Sequence, residues 1–399
     1  MNILYIGNVY SEHLIPTYQK NCKHGYQFAA QALQSSIIQG LLQNSTSPYV
    51  LTIPSLPTFP TGYRMPILKP DKFVFNNKEI GCTSGIFNIP IIKFKFGYKS
   101  KIDKWFHVTE GKKYVLIYSL SATLFQIVRY IKTRYPDVII GVIVADLPEF
   151  MSWNKYYTRL GLKKRDENLI YTNLHYIDKF ILLSKHMAYK LPISNKPWIV
   201  MEGIFNPDSD TEVNNASIKQ SKARAILYSG NLDNRYGIMD AVKAFTLIPD
   251  KDILFWICGF GDSENDIKEF AKKDKRIIYM RTLPRKEVLK LQKQASILLN
   301  PRHSSEEFTK YSFPSKTMEY LASETPTLMC KLESIPSEYN DHLFFIEDET
   351  VEGYRKALQF LLDSDKHYLE SFGKEAGQFI LANKTPVIQT KKIIDFLIN

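Results

Sequence analysis

Residues 308–326 read FTKYSFPSKTMEYLASETP and bring a proline, a serine, a lysine and an acid together at short spacing. Proline suits the first turn of a helix, where its missing N–H is not needed. A helix starting near Pro314 leaves the N–H groups around Ser315 and Lys316 as unpaired donors. The Ser315 hydroxyl and the Lys316 ammonium add to them, which makes an anion cradle. Glu319 lies four residues after Ser315, on the same face and one turn deeper. A carboxylate accepts two hydroxyl donors and so suits a neutral diol. Phosphate at the helix mouth and a diol one turn in describe a nucleotide. The plainer alternative is a capped surface helix with a solvated acid.

Two further stretches are compatible with that ligand. AILYSGNLDNRYG (225–237) is an apolar run into Ser-Gly, then a polar loop with Arg235, then Gly237. Gly230 permits close backbone approach, and Arg235 offers bidentate contacts to phosphate. The alternative is a glycine turn with a solvated arginine. CGFGD (258–262) places Gly259 and Gly261 after another apolar run. A full GxGxxG is absent, since Glu264 stands where the third glycine belongs. The pair therefore reads as a tight turn over a ligand face and not as a nicotinamide site. A third apolar run, LLNPR, ends at Arg302.

The elements that carry these loops alternate. Strand-like runs fall at Ile3–Ile6, Val50–Ile53, Val115–Tyr118, Val138–Val144, Lys179–Leu183 and Trp198–Met201. They resume at Ala225–Tyr228, Ile253–Cys258, Arg276–Met280, Ser296–Leu299 and Thr327–Cys330. Between them Gln27–Leu42, Leu120–Arg134, Ile238–Ile248, Asp262–Lys273 and Arg285–Gln294 have helical periodicity. Continuous apolar strands alternating with helices predict α/β units with parallel sheets covered on both faces. A polar stretch at 206–224 separates two such series. The expected domains are 1–200 and 201–382. The helical segment in 383–399 is free to pack elsewhere.

Composition narrows the class. The 399 residues are 44% hydrophobic and 23% charged, as in a globular protein. A net charge of +11 favours anionic partners. Cys22, Cys82, Cys258 and Cys330 have no metal-type spacing and read as buried, reduced thiols. The start, MNILYIGNV, reads as a strand and not as a signal peptide. No run is apolar and long enough for a transmembrane helix.

The motifs YSGNLDNRYGI, ICGFGD and NPR…YSFPSKTMEYLAS…P resemble the retaining GT-B glycosyltransferases of family 4. VADLPEFM, FILLSKHM and IVMEGIF look like the subgroup that builds bacterial surface polysaccharides. The resemblance covers most of 138–346. It implies two Rossmann-like domains facing a cleft, with the C-terminal helix packing back on the first. The second domain would bind a nucleotide-diphosphate sugar, with UDP favoured. A hexose would pass with retention to a glycan or polyprenyl-diphosphate-linked glycan bound by the first domain. Neither cofactor nor metal is implied. The setting would be cytoplasmic, at the inner face of the cell membrane.

Carried over residue by residue, Glu319 matches the second acid of the E-x7-E motif, expected on the ribose hydroxyls. Ser312, Pro314, Ser315 and Lys316 belong to the same donor motif. The first acid falls at Tyr311, which is not acidic; Glu306, Glu307 and Thr309 are the candidate substitutes. The usual arginine and lysine on the diphosphate fall at Asn231 and Tyr236, leaving Arg235, Arg302 and Lys316 as replacements. The usual glycine after the helix is Glu324, and the left-handed cap it would adopt costs about 1 kcal/mol more for Glu. In the first domain, Asp146 and Glu149 follow an apolar strand and are the acidic candidates for acceptor binding or charge stabilisation. Gly7 and Asn8 are expected on the acceptor side.

Two basic, aromatic stretches, Ile92–Tyr114 and Asn154–Arg165, are either solvated surface or a patch for anionic lipid. No nucleic-acid module is present. Two other activities fit the same fold: a sugar-nucleotide 2-epimerase, and a non-catalytic scaffold that has lost the first acid.

Overall fold

The computed structural model describes residues 1–23, 28–89, 93–151, 158–159, 161–210 and 224–399. The chain forms two compact units, Met1–Ile204 with Pro386–Asn399, and Phe205–Thr385.

The first unit is built on an eight-stranded sheet. Its strands are β1 (Asn2–Gly7), β2 (Ser47–Thr52), β4 (Asp71–Phe75), β5 (Lys78–Thr83), β8 (Lys113–Tyr118), β9 (Ile139–Val144), β10 (Lys179–Leu182) and β11 (Trp198–Val200). Their order is β11-β10-β9-β8-β1-β2-β5-β4. Neighbours run parallel except β4 against β5. The central strands are buried almost throughout, which explains their continuous aliphatic sequences. The helices include α1 (Ile15–Asn21), α2 (Phe28–Gln43), α3 (Tyr98–Val108), α4 (Ala122–Arg134), α5 (Leu162–Asn173) and α6 (Met187–Lys190).

The helix formed by Pro386–Ile398 (α13) packs on α2. A methyl group on Gly40 would sit 2.2 Å from the Pro386 carbonyl oxygen, so the two backbones approach too closely for any side chain there. Asn44 Nδ2 donates to Val387 O at 2.8 Å and to Thr390 Oγ1 at 2.9 Å. Ile393 and Leu397 join Ile3, Tyr5, Ile37 and Leu116 in one core. Each fully buried aliphatic side chain contributes about 1.5–3 kcal/mol.

Three strands missed by the sequence form a separate antiparallel sheet, β3 (Ile67–Leu68), β6 (Gly85–Asn88) and β7 (Lys93–Phe96). The β4–β5 hairpin was missed as well. These strands are short and interrupted by lysine, glycine and asparagine, so no aliphatic run marks them.

The second unit has a six-stranded parallel sheet in the order β14-β13-β12-β15-β16-β17. Its strands are β12 (Ala225–Asn231), β13 (Leu254–Phe260), β14 (Ile277–Tyr279), β15 (Ile297–Asn300), β16 (Thr327–Cys330) and β17 (Phe344–Ile346). The strand order reverses between β12 and β15, as in a Rossmann sheet. Ligands of such sheets gather at that point, outside the strands' carboxyl ends. The covering helices are α7 (Ile238–Thr246), α8 (Glu264–Lys273), α9 (Arg285–Gln294), α10 (Ser315–Ala322), α11 (Val351–Asp363) and α12 (Lys366–Asn383). Their apolar faces close over a core that includes Ile226, Phe245, Phe255, Leu299, Leu321 and Leu358.

Candidate functional site

Three loops converge at the switch point of the second unit. They follow β12, β13 and β15, which are neighbours in the sheet. Gly230 pairs with Gly259 across the first two strands. Gly259 has φ +146°, and a methyl group on it would lie 1.9 Å from the Gly230 carbonyl oxygen. One on Gly261 would lie 2.4 Å from the carbonyl carbon of Leu232. These glycines therefore let two loops pack backbone to backbone. The tight turn expected of CGFGD is present, and its immediate cause is loop packing.

Helix α10 follows the β15 loop. Pro314 is its N-cap, one residue earlier than a first-turn proline, and Ser315 is the first helical residue. Ser315 is exposed at the helix mouth and Lys316 is half-buried. Their N–H groups precede the helical ladder, where the dipole favours an anion.

One turn in, Glu319 is buried and surrounded by donors. Lys316 Nζ donates to its Oε1 at 2.6 Å, and Gln292 Nε2 donates to the same oxygen at 2.6 Å. Arg285 Nη1 donates to Oε2 at 2.6 Å. Burial alone would raise this carboxyl. The charges of Lys316 and Arg285, with hydrogen bonds from Lys316 and Gln292, outweigh burial and hold it below the ordinary carboxylate range. Gln292 also reaches Ser229 Oγ at 3.4 Å, and the Ser229 N–H donates to Tyr320 Oη at 2.9 Å. The end of β12 is thus tied to α9 and α10 through one buried polar network.

A second cationic group lies on the loops after β12 and β15. The Arg302 guanidinium is 4.9 Å from the Tyr236 ring centroid and 5.5 Å from that of Phe308. That of Arg235 is 5.2 Å and 5.4 Å from the same two rings. The rings meet edge to face at 5.8 Å. Arg302 Nη1 is shut off from solvent and meets no acceptor among the described residues. Burial, and then the nearby Arg235 charge, draw the Arg302 guanidinium below its ordinary pKa, although Tyr236 and Tyr228 oppose this. The next residue stakes the loop in place: the His303 ring nitrogens lie 3.1 Å from Asp240 Oδ2 and 3.1 Å from Glu349 Oε2.

Other residues named from sequence have different surroundings. Thr309 is buried, and its hydroxyl donates to Glu306 O at 2.6 Å. That hydroxyl proton holds the loop's own backbone. Asn231 Oδ1 accepts the Asp233 N–H at 2.8 Å, an Asx turn that shapes the β12 loop. Tyr311 and Ser312 are half-buried on the approach to α10. Tyr236 does more than stand where a lysine was expected, since it is the platform for both arginines. The sequence reading gave no role to Arg285, Gln292, Phe308 or Tyr320. Arg285 opens a helix already visible in sequence and Gln292 lies in its last turn, but only the tertiary fold brings that helix to α10.

In the first unit, Gly7 ends β1 and Asn8 follows it, and Asp146 follows β9. Asn8 Oδ1 accepts from Gln34 Nε2 at 2.6 Å, and Gln34 Oε1 accepts the Asn8 N–H at 3.0 Å. Solvent reaches Asp146, while desolvation by surrounding protein raises its carboxyl above the ordinary range. Glu149 accepts a short hydrogen bond from the Tyr171 hydroxyl, and Lys163 Nζ donates to its carbonyl at 3.0 Å. Ser119, at the end of β8, has φ 73°, a strained conformation for serine that nothing in the sequence marked. Of the stretch Asn154–Arg165, residues 154–157 and 160 lie outside the described residues. Cys22 is only half-buried, unlike the other three cysteines. No helix among the described residues is long and apolar enough to cross a membrane.

Comparison with known proteins agrees with this architecture. Residues 209–379, within the second unit, match the family described as "Glycosyl transferases group 1". No curated protein matches. Among solved structures, trehalose-6-phosphate synthase OtsA superposes with a TM-score of 0.66 at 11% identity, covering 100% of this chain and 99% of that one. Sucrose-phosphate synthase from Thermosynechococcus elongatus gives 0.62 at 13% identity, with the same coverage. S. aureus TarM, in complex with UDP, α-GlcNAc-glycerol and Fondaparinux, gives 0.60 at 9% identity over 100% of both chains. The fold is that of the GT-B glycosyltransferases.

Proposed function

We propose that this chain is a retaining glycosyltransferase of family 4 type. It takes a hexose from a nucleotide-diphosphate donor, UDP in the first instance, and passes it to a glycan or lipid-linked glycan in surface polysaccharide synthesis. One observation carries the reading. At the switch point of the second unit, the α10 mouth, Lys316 and the Arg235–Arg302 pair offer positive charge. The buried Glu319 carboxylate lies one turn deeper. That arrangement fits a diphosphate followed by a ribose diol. The match of residues 209–379 to group 1 glycosyl transferases supports a transferase using a nucleotide sugar. In the first unit, Asp146 is assigned to the acceptor side, with Gly7 and Asn8. No metal or cofactor is invoked.

Tyr311 favours a second reading. With no acid at that position, the chain could bind donor without turning it over. Calorimetry with UDP, UDP-glucose, UDP-galactose and UDP-N-acetylglucosamine, paired with slow donor hydrolysis followed by NMR, separates the two. Binding with release of the α-anomer supports the transferase. Binding without hydrolysis or transfer supports the scaffold. Release of a 2-epimer identifies an epimerase, and no binding at millimolar ligand removes all three.

A further inference from the structure

The small sheet β3–β6–β7 has two unlike faces. Its register pairs Leu68 with Ile86 and Ile86 with Lys95 on one face. Leu68 and Ile86 are buried there against Tyr10, Tyr18, Leu56 and Tyr63. The same register pairs Ile67 with Phe87 and Phe87 with Phe94 on the other face. That row is apolar and faces solvent: Phe94 is 51% exposed and Ile67 44%. Phe87 and Phe94 stack at 5.2 Å, and Phe94 and Phe96 lie 6.1 Å apart. Met65, just before β3, adds another 39% exposed side chain. A contiguous apolar face of this kind marks an interaction surface.

The charge around it is one-sided. Residues 64–104 contain nine lysines and arginines against three acids. All three acids have partners: Asp71 meets His13 at 3.2 Å, Glu79 meets Lys72 at 2.9 Å, and Asp103 meets Arg134 at 3.1 Å. Arg64, Lys69, Lys99, Lys101 and Lys104 are exposed and meet no carboxylate among the described residues. Pro70 lies against Gly97, where a methyl group would be 3.5 Å from its ring. This places the Lys69 turn beside the start of α3, which carries Lys99, Lys101 and Lys104.

We infer that this face is a docking surface for a bilayer rich in anionic phospholipid. Ile67, Phe87 and Phe94 enter the interface, and the surrounding cations meet the headgroups. An apolar centre with a cationic rim is complementary to the acyl boundary beneath acidic headgroups. The rim repels a second copy of the same basic face.

The test is sedimentation with sucrose-loaded vesicles of pure phosphatidylcholine, or of phosphatidylcholine with phosphatidylglycerol. The full chain should pellet with the acidic vesicles and be released by salt. Ile67→Ser with Phe94→Ser should lower partitioning by about tenfold or more. Lys99→Glu with Lys101→Glu should do the same. Phe94→Trp should gain fluorescence quenching by brominated acyl chains beyond that of the parent chain. This readout stands even if the serine variant is poorly folded. Equal binding to neutral vesicles, or no added quenching at position 94, overturns the inference. So does a dimer in analytical ultracentrifugation that the serine variant abolishes while vesicle binding is absent. Donor titrations without vesicles should be the same for parent and Phe94→Trp, so failure here is separable from failure of the transferase reading.

Discussion

Lys316 Nζ lies 2.6 Å from Glu319 Oε1, three residues along the same helix. A reading from sequence gives the two side chains separate ends of a nucleotide. In the folded chain they form one ion pair, and Arg285 closes on the other oxygen at 2.6 Å. A ribose diol reaching Glu319 must share or displace these donors. Removal of Glu319 would take away the ion pair of Lys316 and the closest acceptor of Gln292. Glu319→Ala is expected to weaken UDP-sugar binding by at least about tenfold, corresponding to ~1.4 kcal/mol. Calorimetry checks this, and an unchanged dissociation constant would take Glu319 out of the ribose role.

The same carboxylate should report on pH. Its pKa in the fold lies below the ordinary value of 4.5. Such a group stabilises the fold above its ordinary pKa, and that stability is lost as pH falls through the lowered one. Glu319→Gln should therefore be less stable than the parent at pH 7. The gap should narrow once the pH drops below the ordinary carboxylate range. Paired thermal melts at pH 7 and at acid pH test it, and a gap that stays constant argues against the charged network.

Arg302 should trade stability for binding. Its guanidinium is partly buried over two rings, lies near Arg235, and has one nitrogen with neither solvent nor a partner among the described residues. A buried cation without an anion is costly. Arg302→Met should keep or raise the melting temperature. It should weaken UDP by about ten- to a hundredfold, the range for hydrogen bonds to charged groups, and leave uridine almost unaffected. Equal losses for UDP and uridine would place Arg302 away from the diphosphate.

How far this was legible in sequence depends on the range of the interaction. Aliphatic runs such as Ile139–Val144 are buried on both faces of a parallel sheet, so their sequences are continuous and easily read. Ser315, Lys316 and Glu319 share one helix, so spacing alone aligned them. Arg285 and Gln292 belong to α9, more than 25 residues away in sequence, and nothing local ties them to Glu319. The platform of Tyr236 and Phe308 joins loops after different strands, and neither aromatic has a local signature. The β3–β6–β7 sheet was hidden for the opposite reason, because its strands are too short to show alternation.

Tyr320 holds the end of β12 in register with α10. Its hydroxyl accepts the Ser229 N–H at 2.9 Å and lies 3.2 Å from the Ser229 carbonyl oxygen, to which it donates. Both groups are buried. Tyr320→Phe leaves a buried N–H without an acceptor and should cost about 1–3 kcal/mol. Urea denaturation should show a lower midpoint with an unchanged slope. A midpoint like the parent's would mean that Gln292 or Glu319 rearranges to replace the hydroxyl.

Glu324 has φ 60°, the left-handed conformation that the sequence pattern implied by setting it where a glycine is usual. Glycine adopts that conformation without strain, and glutamate does not. Packing opposes the strain. A methyl group on Gly373 would lie 2.4 Å from the Glu324 carbonyl oxygen, and one on Gly377 would lie 2.7 Å from its Cγ, so α12 closes tightly over this cap. Glu324→Gly keeps the backbone contact with Gly373 and loses only the side chain. The strain released is about 1 kcal/mol, and the exposed glutamate contributes less. The variant should therefore unfold at a higher denaturant midpoint than the parent. A lower midpoint would show that the glutamate side chain holds α10 to α12 by more than its strained backbone costs.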